Sequence, residues 1–261
     1  MPFDRRLVRR FRGSAIAFSS ALFAEVVSLL VSRASFFLKE SALRVLVLGC
    51  RDGALIRGLL PILSSKSQIF QCDITYSVFS DREKELGVVA DDEALPFKSE
   101  SFDCIMSNLS LHNVNNLVGA LSCAHSVLRE GGFFMGATFG SSTLRDVKKA
   151  MLEAEGEKIV PRIQPFINAY EMPPLLQSCG FRDVVVDVET IWLRYRCMHH
   201  LLKDLKDMGE GNAFRKGYVH LSRDVMSNAW DLYRKRVGCT SADDAPVGYE
   251  IVVFKGNKKG K

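Results

Sequence analysis

At 261 residues, with 47% hydrophobic and 25% charged side chains, the chain can bury a full core and has the composition of an ordinary soluble domain. Its net charge of +5 (35 Lys and Arg against 30 Asp and Glu) favours acidic partners, but no basic run interleaves with aromatics, which argues against nucleic acid. The seven cysteines, at 50, 72, 104, 123, 179, 197 and 239, form no CxxC pair, so neither a metal site nor a disulfide framework is expected and a reducing compartment fits.

Arg5, Arg6, Arg9, Arg10 and Arg12 precede the stretch SAIAFSSALFAEVVSLLVS. Glu25 interrupts that stretch and five serines dilute it, so a secretion signal or membrane span is disfavoured. Phe18, Leu22, Val26, Leu29 and Leu30 follow helical spacing instead. An N-terminal helical segment over 1–40 is expected, docking on the domain or making peripheral contact with a membrane surface, in a cytoplasmic protein.

Apolar β-rich runs then alternate with helical patterns. Strands are predicted at RVLVL (44–48), QIFQCD (68–73), GVVAD (87–91), FDCIMSN (102–108) and FFMGATF (133–139), with helices at 52–64, 77–86 and 115–129. The Gly131-Gly132 pair is expected to close the helix ending at Leu128 and open the fifth strand. This alternation predicts an α/β fold with a doubly wound, mostly parallel sheet. Beyond Phe139, helical stretches at 143–155, 169–178, 197–207 and 222–236 surround two more strands at 183–195 and 249–254. The helices at 143–178 and 197–236 are expected to cap the carboxyl ends of the strands, where ligands of open α/β sheets bind. The domain plan is therefore a binding core over 41–142, cap helices and last strands over 143–255, and a frayed basic tail at 256–261.

Between Arg44 and Asp73, a strand, a glycine turn, a helix and a second strand ending on an acid form the layout a nucleotide-like ligand needs. Gly49 and Gly53 let the backbone pass close to such a ligand, and Asp73 can accept from a ribose diol. The turn departs from the usual pattern: Arg51 stands in place of a third glycine, and Val47 where an acid usually ends the first strand. A positive φ at Arg51 would be strained. Asp52 is the candidate to replace the lost acid.

With these positions in hand, the chain resembles class I S-adenosylmethionine (SAM) methyltransferases, and two branches in particular. They are the complex I assembly factor five family and the BioC-type malonyl-carrier-protein methyltransferases. The motifs are FDR (3–5), VLGCRDG (47–53), QCDI (71–74), ADDEALPF (90–97), FDCIMSNLSLHNVNNL (102–117), LREGGFF (128–134), FGSSTL (139–144), IQPF (163–166) and DLKDMGEGNA (204–213). The resemblance implies a seven-stranded Rossmann-like sheet with a helical cap. Because FDR sits at residue 3, a bacterial protein without a transit peptide is expected.

It also implies residue roles. Gly49 and Gly53 would flank the methionine moiety of SAM, with Cys50 and Arg51 between them at the cofactor. Asp73 and Ile74 would meet the ribose, Asp91 would accept from the adenine amino group beside Asp92, and Asn108, Leu109 and His112 would line the floor. His112 reads better as a structural histidine than as a proton carrier, and no catalytic residue is assigned. With Val47 and Arg51 in the turn, weak SAM binding is expected, and Asn113 makes one wall polar. The activity implied is methyl transfer to a carboxylate on an acidic carrier protein or to a protein acceptor. The alternative is assembly of a respiratory-complex subunit, by client binding or arginine modification. Arg162, Arg194, Arg196, Arg215 and Lys216 are candidates to steer an acidic partner, and the 204–216 segment is expected to break at Gly209 and Gly211 into a docking loop.

Overall fold

Strand β1 (Arg44–Leu48) turns Val45 and Val47 to one face and Leu46 and Leu48 to the other, all four buried, as a strand covered on both faces requires. The structure is a computed structural model describing residues 3–15, 21–38, 41–79, 87–156, 162–214, 221–239 and 244–260. β2 (Gln68–Asp73), β3 (Gly87–Val89), β4 (Phe102–Asn108) and β5 (Leu128–Phe139) pair in parallel around β1. β6 (Arg182–Tyr195) and β7 (Ala245–Asn257) complete a seven-stranded sheet in the order β3-β2-β1-β4-β5-β7-β6, with β7 antiparallel to both neighbours. Strand order reverses between β1 and β4, and ligands of such sheets bind at the carboxyl ends beside that point.

The two faces carry separate apolar cores. On one, α2 (Ala21–Ala34), α3 (Ala54–Leu59), α5 (Arg145–Glu155), α7 (Met198–Asp207) and α8 (Arg223–Arg236) pack over Val45, Val47, Cys104, Met106 and Met135. On the other, α4 (Leu117–Val127) and α6 (Met172–Ser178) pack over Leu46, Leu48, Ile105 and Phe134. Of the stretch 143–178 expected in a cap, α5 and α6 therefore cover opposite faces of the sheet. The inserted helices are α7 and α8, which lie between β6 and β7. No helix among the described residues is long and apolar enough to cross a membrane.

Several boundaries differ from expectation for local reasons. The N-terminal helical segment holds two helices among the described residues, α1 (Arg5–Gly13) and α2, and Phe18, named for helical spacing, lies outside them. The apolar side of α2 (Leu22, Val26, Leu30) is wholly buried against the sheet. α4 ends at Val127 and β5 begins at once, so the glycine pair lies inside the strand. Gly131 takes φ 75° there, and its N–H donates to Lys258 O at 3.0 Å. The tail is not frayed from 256: Gly256 and Asn257 belong to β7, and Lys258 N–H donates to Gly132 O at 2.8 Å. The helix expected over 77–86 is a short 3-10 turn, Tyr76–Val78, and 80–86 lie outside the described residues. The third strand stops at Val89, and Asp91 forms an isolated bridge with Ala94.

Candidate functional site

The turn after β1 is built as the sequence suggests, with one substitution absorbed. Gly49 has φ 61° and donates to Cys72 O at 2.8 Å; a Cβ there would fall 2.5 Å from Ser110 Oγ, so glycine is required. Cys50 is buried beside it, its N–H 3.3 Å from Cys72 O, and Gly53, at φ 72°, opens α3. Arg51 takes φ 49°, a conformation costing a non-glycine residue about 1–2 kcal/mol. Asp52 does not replace the missing acid. It accepts from Ala54 N–H at 3.1 Å and pairs with Arg57 at 2.9 Å, so it serves α3. Val47 is sealed in the apolar core beneath α2.

What holds Arg51 is a buried polar cluster. Its guanidinium lies 4.3 Å from the centre of the Phe23 ring and donates to Met208 O at 3.0 Å and Leu109 O at 2.9 Å. It also pairs with Glu210, and the two side chains are only 4% and 7% exposed. Glu210 in turn binds His112 Nε2 at 2.7 Å and Asn113 Nδ2 at 3.2 Å, and Asn113 Oδ1 accepts from Gln164 at 3.1 Å. Burial lowers the Arg51 guanidinium, with the neighbouring Arg12 adding to the effect against Glu210 and Asp73. Burial also lowers His112 despite Glu210, leaving it neutral at neutral pH. Glu210 stands well below the usual carboxylate range: burial opposes this, but His112, Arg51 and Arg12 outweigh it. His112 is thus a structural partner of Glu210, packed 4.7 Å from the Phe139 ring centre.

The acids assigned to a nucleoside meet arginines of this same chain. Asp73, wholly buried, accepts from Thr75 N–H and Arg51 N–H, each at 3.2 Å, and from Arg12 Nη1 at 3.5 Å. Arg12, 3% exposed, also donates to Ser110 Oγ at 3.1 Å, and a Cβ on Gly49 would stand 3.0 Å from its Nη1. Arg5 forks onto Asp91, with Nε 2.7 Å from Oδ2 and Nη2 on Oδ1, while its Nη1 donates to Asn113 O at 2.6 Å. Asp92 accepts from Ser110, and burial pushes its carboxyl up against the opposing pull of Arg12 and Ser110. Ile74 is buried under α1, its carbonyl taking Arg9 Nε at 2.9 Å. Leu109 and Asn108 are buried at the end of β4, and Asn108 Oδ1 has no partner.

Several of the residues named for the cofactor thus cluster beneath α1, where arginines of this same chain contact the two acids. A ribose diol needs an accessible Asp73 and an adenine amino group needs an open Asp91. Arg12 and Arg5 hold both. Sequence reasoning gave these arginines no role in the site, although Arg5, Arg9 and Arg12 repeat at i, i+4 and i+7 and so share one helical face. Glu210 and Ser110 were likewise missed.

Beside this cluster opens a cavity of about 410 Å³, within the usual range for ligand pockets. Phe11, Phe139, Phe166 and Tyr249 supply aromatic walls, α5 and α7 supply aliphatic ones, and Glu210 supplies a carboxylate. α7 ends at Asp207 and the chain breaks at Gly209 (φ 78°), so Glu210, Gly211 and Asn212 form the loop facing the cavity. Arg162 pairs with Glu155 and Arg196 with Asp244, while Arg194 donates to Asp244 O. Arg215 and Lys216 lie outside the described residues.

Comparison with known proteins adds a family. A model described as "Methyltransferase domain" matches residues 46–136. The human "Arginine-hydroxylase NDUFAF5, mitochondrial" is 34% identical over 218 residues, covering 81% of this chain and 62% of that protein. This chain therefore spans about three fifths of that relative's length. The malonyl-[acyl-carrier protein] O-methyltransferase of Halorhodospira halophila is 31% identical over 220 residues, covering 80% of this chain and 73% of that enzyme. The crystal structure of the YcgJ protein from Bacillus subtilis superposes with a TM-score of 0.63 at 13% identity, over 91% of this chain and 99% of that one.

Proposed function

The chain belongs to the class I SAM-dependent methyltransferase superfamily, and from that membership we propose that it is a protein-directed member that seats a cationic side chain of a client protein. The observation that carries the proposal is the composition of the cavity: four aromatic residues around one buried carboxylate, Glu210. Aromatic faces attract a desolvated guanidinium; Glu210 is already neutralised by Arg51, so the rings carry the reading. The likeness to arginine hydroxylases supports the same reading. Arg51, Arg5 and Arg12 fill the positions of the cofactor cleft, so client recognition is the part of the family's work this geometry best supports.

A second reading has its own support. Lys206 and Arg162 also line the cavity, and they suit a carboxylate borne on an acidic carrier, the acceptor named for the H. halophila relative. Fluorescence anisotropy separates the two. A peptide carrying arginine should bind at least tenfold more tightly than its citrulline counterpart. Phe166→Leu should weaken the arginine peptide about two- to thirtyfold, the range of one cation–π contact. Equal affinity for the arginine and citrulline peptides, together with tight binding of a malonyl-carrier protein, would transfer the assignment to the carboxylate acceptor.

A further inference from the structure

We propose that α1 is an internal ligand of the cofactor cleft: a displaceable plug whose arginines occupy the acids a nucleoside would use. The inference rests on the reading of that cleft as the family's cofactor site.

Three features argue for a plug rather than a fixed wall. The first is how α1 is held. It contributes Val8, with Leu7 and Phe11 packed alongside, to a small cluster with Phe3, Ile74 and Ala213, apart from the two main cores. Its other principal contacts are polar: Arg5 to Asp91, Arg9 to Ile74 O, and Arg12 to Asp73 and Ser110. A helix of nine residues is too short to persist without such contacts, so it forms on docking and is lost on release.

The second is that the docked state is polar but incompletely satisfied. Arg12 Nε, Arg51 Nε and Asn108 Oδ1 are all buried without a hydrogen-bond partner. The like-charged Arg12 and Arg51 groups stand close enough that Arg12 disfavours the charge on Arg51. Buried unsatisfied donors and adjacent cations are what a competing ligand with its own polar groups can relieve.

The third is mechanical continuity. Phe3 stacks on Phe214 with ring centres 5.6 Å apart, and Asp4 N–H donates to Ala213 O at 2.9 Å. Phe11 packs against Gly209 and Gly211 and also lines the cavity. One short helix therefore closes the nucleoside acids and braces the loop that carries Glu210. Displacing it opens the cofactor cleft and loosens the acceptor wall together, which links the two binding events.

Calorimetry with S-adenosylhomocysteine, a probe lacking the sulfonium charge, tests this on the full chain. The Arg5→Ala/Arg12→Ala variant, confirmed as folded by circular dichroism and a cooperative melt, should bind the probe at least tenfold more tightly than the parent, because no fraction of it is held closed. A tethered variant gives the converse. A Cβ at Gly13 would lie 2.9 Å from Ser77 Oγ, so Gly13→Cys/Ser77→Cys can be joined by a disulfide that pins α1 down. The oxidised form should lose probe binding and the reduced form regain it. Equal binding by the parent, the double alanine variant and both redox forms would overturn the plug while leaving the cofactor cleft in place. Weaker binding by the alanine variant would also overturn it, making the arginines holders of the cofactor. No binding by any folded form would overturn the plug and the cofactor reading together.

Discussion

Replacing Glu210 by alanine is expected to destabilise the protein by about 3–5 kcal/mol, the penalty for stranding one partner of a buried ion pair. Arg51 and Glu210 are almost inaccessible, and removing the carboxylate leaves a guanidinium in the core with only two carbonyls and the face of Phe23. His112 and Asn113 lose their acceptor as well. Replacing both charges by apolar side chains, Arg51→Met/Glu210→Leu, should recover most of the loss, because well-packed apolar pairs often match buried ion pairs in stability. Urea denaturation of the two single variants and the double gives the coupling energy. A single-variant loss below about 1 kcal/mol, the size of an exposed pair, would show that the two groups are not buried together.

The same carboxylate sets an acid limit. Its folded pKa is depressed, so the stability it confers is complete above the unfolded carboxylate value of about 4.3 and drains away as pH falls from there towards the lower folded value. Melting curves between neutral and strongly acidic pH should fall more steeply for the parent than for the apolar double variant.

Leu30→Ala is expected to cost about 2–5 kcal/mol, since Leu30 is wholly buried in the core between α2 and the sheet. This result separates the two roles the sequence left open for the N-terminal helix. A helix lying on a membrane surface would lose vesicle affinity and little folding stability from the same change. A helix docked on its own sheet loses stability with or without vesicles. Chemical denaturation in their presence and absence reads both.

The sheet was legible because its strands are short apolar runs between turn signals: RVLVL, QIFQCD and FDCIMSN coincide with β1, β2 and β4 residue for residue. β5 was shortened because Gly131 and Gly132 read as a helix stop, whereas Gly131, at positive φ, donates to Lys258 just beyond the end of β7. The glycine turn and its acids were legible through local spacing. The groups that decide whether a ligand can enter were not, because each acts across the chain: Arg12 reaches Asp73 over 61 positions and Arg51 reaches Glu210 over 159. Hydrophobic periodicity carries no information about which acid a surface-like arginine will meet once the chain folds. The tertiary structure alone turned a run of charges into a contact set.

The pairing of Tyr195 with Ala245 has an evolutionary corollary. These residues face each other where β6 ends and β7 begins, so the chain leaves the sheet and re-enters it at a single doorway, and the described residues between 196 and 244 lie outside it. Such an insertion can be exchanged, lengthened or trimmed by recombination without disturbing the register of any strand. The loop carrying Glu210, Gly211 and Asn212 lies within it. A change confined to this cassette can therefore reshape the wall of the cavity while the strands keep their pairing.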